Sequence, residues 1–275
     1  MSIAYKCPVC NEKLNLVGKS YVCSNKHTFD MAKEGYVNFA LGKNDSGDSA
    51  DMCACRRRFL SKGYYEKFSR LICDTVKKYS DAKELCDLSI LDAGCGEGYY
   101  LRGLRDAFLQ SPLFGIDLAK DAVKLAAKSE KQRVGIRNSY SVCGIFSLPF
   151  FDNSFDCVIS VFAPVGETEN LRVLKNGGLL LVAGPGKTHL SGLKSAVYEK
   201  PYENAQKHRE YEGFEFVAKE SCEYSVTVLK EDIIDLFTMT PYYWKTSKSD
   251  FEKLSKLDSL DTELSFEISV YKAKK

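Results

Sequence analysis

Ser89-Ile90-Leu91-Asp92-Ala93-Gly94-Cys95-Gly96-Glu97-Gly98-Tyr99-Tyr100 is the stretch on which the fold turns. An apolar run ends on an acid, passes three alternate glycines and enters a segment with helical spacing. A strand, a glycine turn and a helix in this order let a ligand approach the backbone closely, because glycine has no Cβ to hold it off. The spacing suits a dinucleotide or another nucleoside. Glu97 within the loop would repel a pyrophosphate, whereas S-adenosylmethionine (AdoMet), with an ammonium and a sulfonium, tolerates that carboxylate. The next apolar run ends at Phe114-Gly115-Ile116-Asp117. An acid about 20 residues beyond the glycine loop can accept both ribose hydroxyls, which serves either class of ligand.

Working outward, apolar runs predict strands over Leu88–Ala93, Leu113–Asp117, Val134–Val142, Phe155–Phe162, Leu179–Ala183, Cys222–Val228 and Leu264–Tyr271. Helical spacing falls between them, over Tyr99–Leu109, Ala119–Lys128, Glu167–Leu174, Leu190–Glu199, Lys230–Met239 and Asp250–Lys256. This alternation predicts an α/β fold, a Rossmann-like, mostly parallel sheet with helices on both faces. Two further helices are expected over Ala50–Lys62 and Tyr64–Tyr79. The polar run Gly42–Ser49 reads as a loop.

The first 40 residues have another character. Cys7 and Cys10 are two residues apart, and Cys23 is followed at a short interval by His27. Two such pairs, each around turn residues, suit a tetrahedral zinc ion with three thiolates and one imidazole. With four protein ligands no position is left for a reacting water, so the ion is expected to be structural. The remaining cysteines show no second metal pattern and read as small buried hydrophobes or incidental thiols. The resulting division is a zinc-binding module over 1–41, a linker with a helical segment over 42–80, and a catalytic domain over 81–275.

Composition bounds what such a chain does. Its 275 residues are 44% hydrophobic and 28% charged, enough to bury a core. Net charge is only +2, which excludes a uniformly basic coat. It is unevenly spread, with +6 on residues 1–80 and −4 on the rest, so a polyanion should favour the N-terminal part. The longest apolar stretches, such as Gly177–Gly184, fall far short of the roughly 18 residues needed to cross a bilayer. No apolar signal core precedes Cys7, and eleven cysteines then fit reduced thiols or metal ligands in the cytoplasm.

The order D-x-G-C-G-x-G (Asp92–Gly98), G-x-D (Gly115–Asp117), L-P-F (Leu148–Phe150), F-D (Phe155-Asp156) and L-K-x-G-G (Leu174–Gly178) resembles the class I AdoMet-dependent methyltransferases. Two positions depart from that pattern. Asn176 stands where a proline usually precedes the paired glycines, and no acid before Leu148 is placed to meet adenine. The run Phe29-Asp30-Met31-Ala32-Lys33-Glu34-Gly35-Tyr36-Val37-Asn38 narrows the resemblance. So do Arg56-Arg57-Arg58-Phe59-Leu60, Gly63-Tyr64-Tyr65, Phe162-Ala163-Pro164 and Gly184-Pro185-Gly186-Lys187-Thr188-His189-Leu190. With the cysteine cluster, this set is similar over nearly the whole chain to the RlmA family of 23S rRNA (guanine-N1)-methyltransferases.

The resemblance implies zinc held by Cys7, Cys10, Cys23 and His27, and AdoMet held by Tyr65, Gly96, Glu97 and His189. Asp92 and Gly94 join them from the loop, and Asp117 from the wider class. It also implies a hairpin of 23S rRNA as partner, no membrane, and a homodimer. Phe162, Ala163 and Pro164 would wall the crevice and could stack a base, while no residue is singled out as general base; Glu167 and Glu169 read as a solvated helix face. Lys33, Tyr36 and Asn38 are the preferred RNA candidates. Three consecutive arginines on a helix fan over about 200°, so one or two phosphate contacts are expected of them. Two alternatives remain open at this point: a small-molecule methyltransferase with a structural zinc module, and a zinc-containing RNA-binding factor without catalysis.

Overall fold

Ile90, Leu91, Asp92 and Ala93 are all buried, as an inner strand covered on both faces must be. They lie at the centre of the fold in a computed structural model that describes residues 3–42, 48–81, 88–205, 209–245 and 248–275. The chain opens with strands β1 (Asn15–Val17), β2 (Ser20–Val22), β3 (Thr28–Asp30) and β4 (Tyr36–Asn38), then helices α1 (Ala50–Ser61) and α2 (Glu66–Tyr79). Alternation follows: β5 (Ile90–Ala93), α3 (Tyr99–Ala107), β6 (Leu113–Asp117), α4 (Lys120–Glu130), β7 (Ser139–Val142), β8 (Phe155–Val161), α5 (Glu167–Val173), β9 (Leu174–Pro185) and α6 (Ser191–Val197). The chain closes with β10 (Phe214–Leu229), α7 (Lys230–Thr238), a 3-10 turn at Pro241–Lys245, α8 (Lys248–Ser255) and β11 (Ser259–Ala273).

The main sheet has eight strands in the order β10-β11-β9-β8-β5-β6-β7-β4. All pairings from β9 to β4 are parallel, and only β9-β11 and β11-β10 are antiparallel. This is the mostly parallel sheet expected from the alternation, and it agrees with the class I methyltransferase fold that the motif resemblance implies. Strand order reverses at β5, so the loops after β5 and β8 flank the crevice where such sheets take ligands.

Four expectations are corrected in length, among them the strand expected over Leu179–Ala183, which runs over Leu174–Pro185. The run from Val134 forms a strand only over Ser139–Val142, because Val134 is fully exposed and lacks the burial its apolarity suggested. The strands expected over Cys222–Val228 and Leu264–Tyr271 extend to 16 and 15 residues. They pair with each other from Phe214↔Ala273 to Leu229↔Ser259, and cross-strand charges such as Lys219–Glu267 (2.7 Å) stand in for apolar alternation. The loop expected over Gly42–Ser49 lies mostly outside the described residues.

The N-terminal residues build no core of their own. β1, β2 and β3 form a small antiparallel sheet. β4 leaves it and pairs in parallel with β7 as the outermost strand of the main sheet, Tyr36 opposite Tyr140 and Val37 opposite Ser141. The Tyr5 ring packs 4.8 Å from Phe39, 5.9 Å from Phe114 and 5.3 Å from Phe150, centroid to centroid. The Lys6 N–H donates to the Pro149 carbonyl at 2.9 Å. Burying one such ring is worth about 1.5–3 kcal/mol, so this seam contributes to both sides at once.

Arg105 on α3 is buried although its sequence context reads as an ordinary helix face. Its guanidinium donates to the carbonyls of Phe108 (3.0 Å), Leu109 (3.1 Å) and Ser111 (2.8 Å) and to Asn138 Oδ1 (2.9 Å). It thereby satisfies carbonyls at and beyond the end of α3 and ties them to the approach of β7.

Candidate cofactor crevice and metal cluster

Cys7 and Cys10 sit on one turn, closed by Asn11 N–H donating to the Cys7 carbonyl at 2.9 Å. Cys23 and His27 sit on another, where Lys26 N–H donates to the Cys23 carbonyl at 3.0 Å. Folding of the small sheet brings the two turns together. All four donor atoms lie within 4.8 Å of one another, with Cys10 Sγ 3.7 Å from Cys23 Sγ. His27 Nδ1 is 3.7 Å from Cys7 Sγ and 3.4 Å from Cys23 Sγ. A tetrahedral ion with Zn–S about 2.3 Å and Zn–N about 2.05 Å requires edges of roughly 3.5–3.8 Å. The donor set therefore fits zinc in chemistry, and these three edges lie within about 0.2 Å of the tetrahedral values. Backbone N–H of Glu12 beside the Cys10 sulfur lowers its pKa to about 6, which favours the thiolate.

At the glycine loop, the N–H groups of Gly94 and Cys95 both donate to the Ile116 carbonyl, at 2.9 and 2.8 Å. Gly94 has φ +92°, and a methyl group there would come within 2.5 Å of the Ala163 Cβ. Only glycine lets the segment after β8 rest on this loop. Gly96 has φ +53°, but a Cβ at that position would meet nothing nearer than an Arg56 guanidinium nitrogen at 3.9 Å. Its N–H donates to Asp117 Oδ2 at 2.8 Å, while Asp117 Oδ1 accepts from Ala119 N–H at 2.8 Å. Asp117 thus joins the glycine loop to the start of α4.

Asp92 is buried and neither carboxylate oxygen has a hydrogen-bond partner among the described residues. Burial, with the Asp117 charge nearby, pushes its pKa well above the usual carboxylate range. An orphaned buried carboxylate beside the loop suits a ligand that brings a cation or a donor. Its folded-state pKa exceeds the unfolded one, so its contribution to stability is present at low pH and lost as pH rises through the raised value. Asp92→Asn is expected to remove that loss. The urea midpoint of the variant relative to wild type should grow between pH 5 and pH 8, while affinity for S-adenosylhomocysteine falls. A difference independent of pH would show that Asp92 is not the strained group.

Glu97 is also buried, yet it is paired. Arg102 Nη2 donates to both its oxygens at 3.0 and 2.8 Å, and Arg57 Nη1 to one at 3.2 Å. Its charge is therefore met within the protein before any ligand arrives. Across the crevice, the Tyr65 hydroxyl lies 3.3 Å from His189 Nε2. Desolvation, helped by the Lys194 charge, lowers His189 to about 3. The ring is neutral near pH 7 and suited to orienting a ligand rather than carrying a proton away. Below its ordinary value of about 6.5, each pH unit costs the fold up to about 1.4 kcal/mol through this group.

Phe162 follows β8 with φ +53° and its ring 47% exposed. It leans on Phe68 (6.0 Å), His189 (5.9 Å) and Phe266 (6.2 Å between centroids). A bulky residue held in the left-handed region with a half-open ring is strained, and strain of this kind gathers at functional sites.

The crevice thus brings Tyr65, Asp92, Gly94, Gly96, Glu97, Asp117 and His189 to one end of the sheet, and the second cluster holds Cys7, Cys10, Cys23 and His27. Other expectations are corrected. Tyr36 is buried in β4 and presents no ring for stacking, whereas Lys33 and Asn38 remain exposed. Arg56 pairs with Asp48, Arg57 with Glu97, and Arg58 with Asp235 through Nε (2.7 Å) and Nη2 (2.5 Å). Each arginine of the triplet thus has an acidic partner within the protein, just before α1, in the glycine loop and on α7. Glu169 does not face solvent freely; it accepts from Leu148 N–H at 2.6 Å and pairs with Arg172 at 2.7 Å, bracing the L-P-F segment. Phe146, 72% exposed in the loop after β7, carries no mark in the sequence, because a loop residue has no periodicity to announce it.

Comparison with known proteins agrees with both halves. The RlmA N-terminal family model matches residues 5–40, and a methyltransferase-domain model matches residues 90–178. YxjB of Bacillus subtilis (strain 168), provisionally named a 23S rRNA (guanine-N(1)-)-methyltransferase, is 29% identical over 97% of this chain and 96% of its own. The 23S rRNA (guanine(748)-N(1))-methyltransferase of Streptomyces fradiae is 31% identical over 70% of this chain and 67% of its own. Among solved structures, the YcgJ protein of Bacillus subtilis aligns with a TM-score of 0.49 at 14% identity, over 75% of this chain and 98% of that one. With the Cys3His cluster inside the matched N-terminal model, the glycine loop inside the methyltransferase model, and the Bacillus YxjB and Streptomyces relatives, the chain belongs to the RlmA family of 23S rRNA (guanine-N1)-methyltransferases.

Proposed function

We propose that this protein transfers a methyl group from AdoMet to N1 of a guanine in a hairpin loop of 23S rRNA. In this reading Tyr65, Asp92, Gly94, Gly96, Glu97, Asp117 and His189 hold the cofactor, and Cys7, Cys10, Cys23 and His27 hold a structural zinc. Residues 1–41 act as an RNA-recognition module, 42–80 as the helical link and 81–275 as the catalytic domain, with β4 carried in the catalytic sheet. The same reading includes a cytoplasmic location and a homodimer; no helix among the described residues is long and apolar enough to cross a membrane.

The observation that carries it is the half-exposed, left-handed Phe162, whose neighbour Ala163 rests on the glycine loop directly after the buried, unpartnered Asp92 carboxylate. When bound, AdoMet supplies an electrophilic methyl on sulfur. Asp117 suits the ribose hydroxyls and Asp92 the ammonium. Phe162 offers a flat face on which a base taken out of its stack can lie. Holding guanine N1 in line with the methyl carbon and sulfur supplies much of the rate, and the N1 proton leaves to solvent. Neutral His189 and Tyr65 fix the geometry of that wall.

Primer extension on 23S rRNA from a strain lacking the protein tests the reading, since N1 methylation blocks Watson–Crick pairing. The parental stop should vanish in the deletion strain and return on complementation; an unchanged pattern would refute it. Phe162→Ala is expected to lower kcat/KM for the RNA by about 5–100-fold, the worth of one base–aromatic stack, with cofactor affinity within about threefold. An equal loss in both would place Phe162 in the packing of the crevice alone.

A further inference from the structure

The cofactor reading leaves one charge unmatched. Asp92, Glu97 and Asp117 line the crevice with carboxylates, which suit an ammonium, a sulfonium and ribose hydroxyls. None of them can pair with the carboxylate that the methionine end of AdoMet also carries. A cation suits it well, and the candidates near the glycine loop are the arginines. Arg57 and Arg102 share Glu97, and Arg58 grips Asp235 with two nitrogens. Arg56 is placed otherwise. Its Nη1 reaches to 3.9 Å from the position a Cβ on Gly96 would occupy. Its side chain is 26% exposed. Nη1 pairs with the Asp48 carboxylate and Nη2 donates to the Met239 carbonyl at 3.3 Å. Of the five N–H donors of a guanidinium, Nε–H and one on each terminal nitrogen have no partner among the described residues.

We propose that Arg56 binds the carboxylate of the cofactor's methionine end, taking it as a partner in exchange for or beside Asp48. The inference rests on the reading of the crevice as the AdoMet site. It gives helix α1 a direct part in cofactor choice: ligands with the full amino-acid end are favoured over truncated nucleosides. A planar fork suits a carboxylate better than a lysine would, because two parallel hydrogen bonds fix its orientation.

Calorimetry on the full-length, zinc-loaded protein separates the outcomes. AdoMet is compared with its decarboxylated form, which keeps the sulfonium and the amine and lacks only the carboxylate. Wild type should prefer AdoMet by about 10–100-fold, the worth of a charge-assisted pair. Arg56→Met should shrink that preference to about threefold or less while affinity for the decarboxylated form stays near wild type. Arg56→Lys keeps a charge opposite Asp48, and with it the fold, and should retain only part of the preference. An undiminished preference in either variant overturns the proposal, as does an equal loss for both ligands, which would make Arg56 a purely structural partner of Asp48. Wild type binding neither ligand would sink the cofactor reading itself. Thermal unfolding of each variant, read alongside, identifies a change that comes from the fold.

Discussion

Cys23→Ser is expected to strip the ion from the N-terminal cluster and to lower the stability of the whole chain, well beyond residues 5–40. Cys23 Sγ lies 3.7 Å from Cys10 Sγ and 3.4 Å from His27 Nδ1, and its loss removes one vertex of the tetrahedron with the three edges that meet there. A structural zinc in a small module contributes on the order of 10 kcal/mol, and the module has no core to replace it. What remains of that loss is transmitted, because Tyr5 and Phe39 belong to the same buried cluster as Phe114, Phe150 and Phe155. Exposing two or three such rings costs the main domain about 3 kcal/mol or more, a fall of roughly 6–12 °C in Tm. The damage also reaches the crevice. Phe39 N–H donates to the Val142 carbonyl at 2.9 Å, and the next residue, Cys143, donates to the Asp117 carbonyl at 3.1 Å. Metal content should drop from about one equivalent to none by elemental analysis, with Tm and S-adenosylhomocysteine affinity falling together. A metal-free variant with an unchanged Tm would show that the aromatic seam holds without the ion.

Gly96→Val is expected to leave a folded protein that no longer binds cofactor. The backbone at Gly96 is left-handed at φ +53°, which costs a side chain about 1–2 kcal/mol. There is room for the atoms, since the nearest neighbour of a Cβ is the end of the Arg56 side chain at 3.9 Å. That room is the space the ligand needs, so a branched side chain fills it. Affinity for S-adenosylhomocysteine should fall by more than about 100-fold, while Tm falls by only a few degrees. Gly94→Ala provides the contrast, because its methyl strikes Ala163 at 2.5 Å and the fold itself must shift. Retained binding in Gly96→Val would mean that the ligand does not lie against this loop.

The central strands, the glycine loop and the cysteine–histidine spacing were legible in the sequence because each is specified locally. Asp92 to Gly98 is one continuous run, and the two metal-binding turns are each five residues or fewer. What was not legible depends on partners far along the chain. Tyr36-Val37-Asn38 is too short to announce its place, and its parallel pairing with Ser139–Val142 is set across about a hundred residues. The three arginines carry no sign of whether each will meet a phosphate or an acid. Their partners lie far apart: Asp48 in the segment before α1, Glu97 in the glycine loop and Asp235 on α7. The reach of Arg56 toward Gly96 depends on how α1 packs near the loop after β5, which periodicity does not encode. Likewise the carboxylate of Asp92 reads as a binding group from its position, but that nothing in the protein satisfies it is visible only in three dimensions.

Strand β4 has a consequence for the protein in a metal-poor cell. It covers β7, which would otherwise present the bare edge of a parallel sheet with a row of unsatisfied N–H and C=O groups. Such an edge is a template for strands of other molecules. When the ion departs and the first forty residues peel away, the freed catalytic body carries an adhesive border rather than a clean one. The ion then also serves as a safeguard of solubility, and shortage of zinc should be felt first as self-association of the chain.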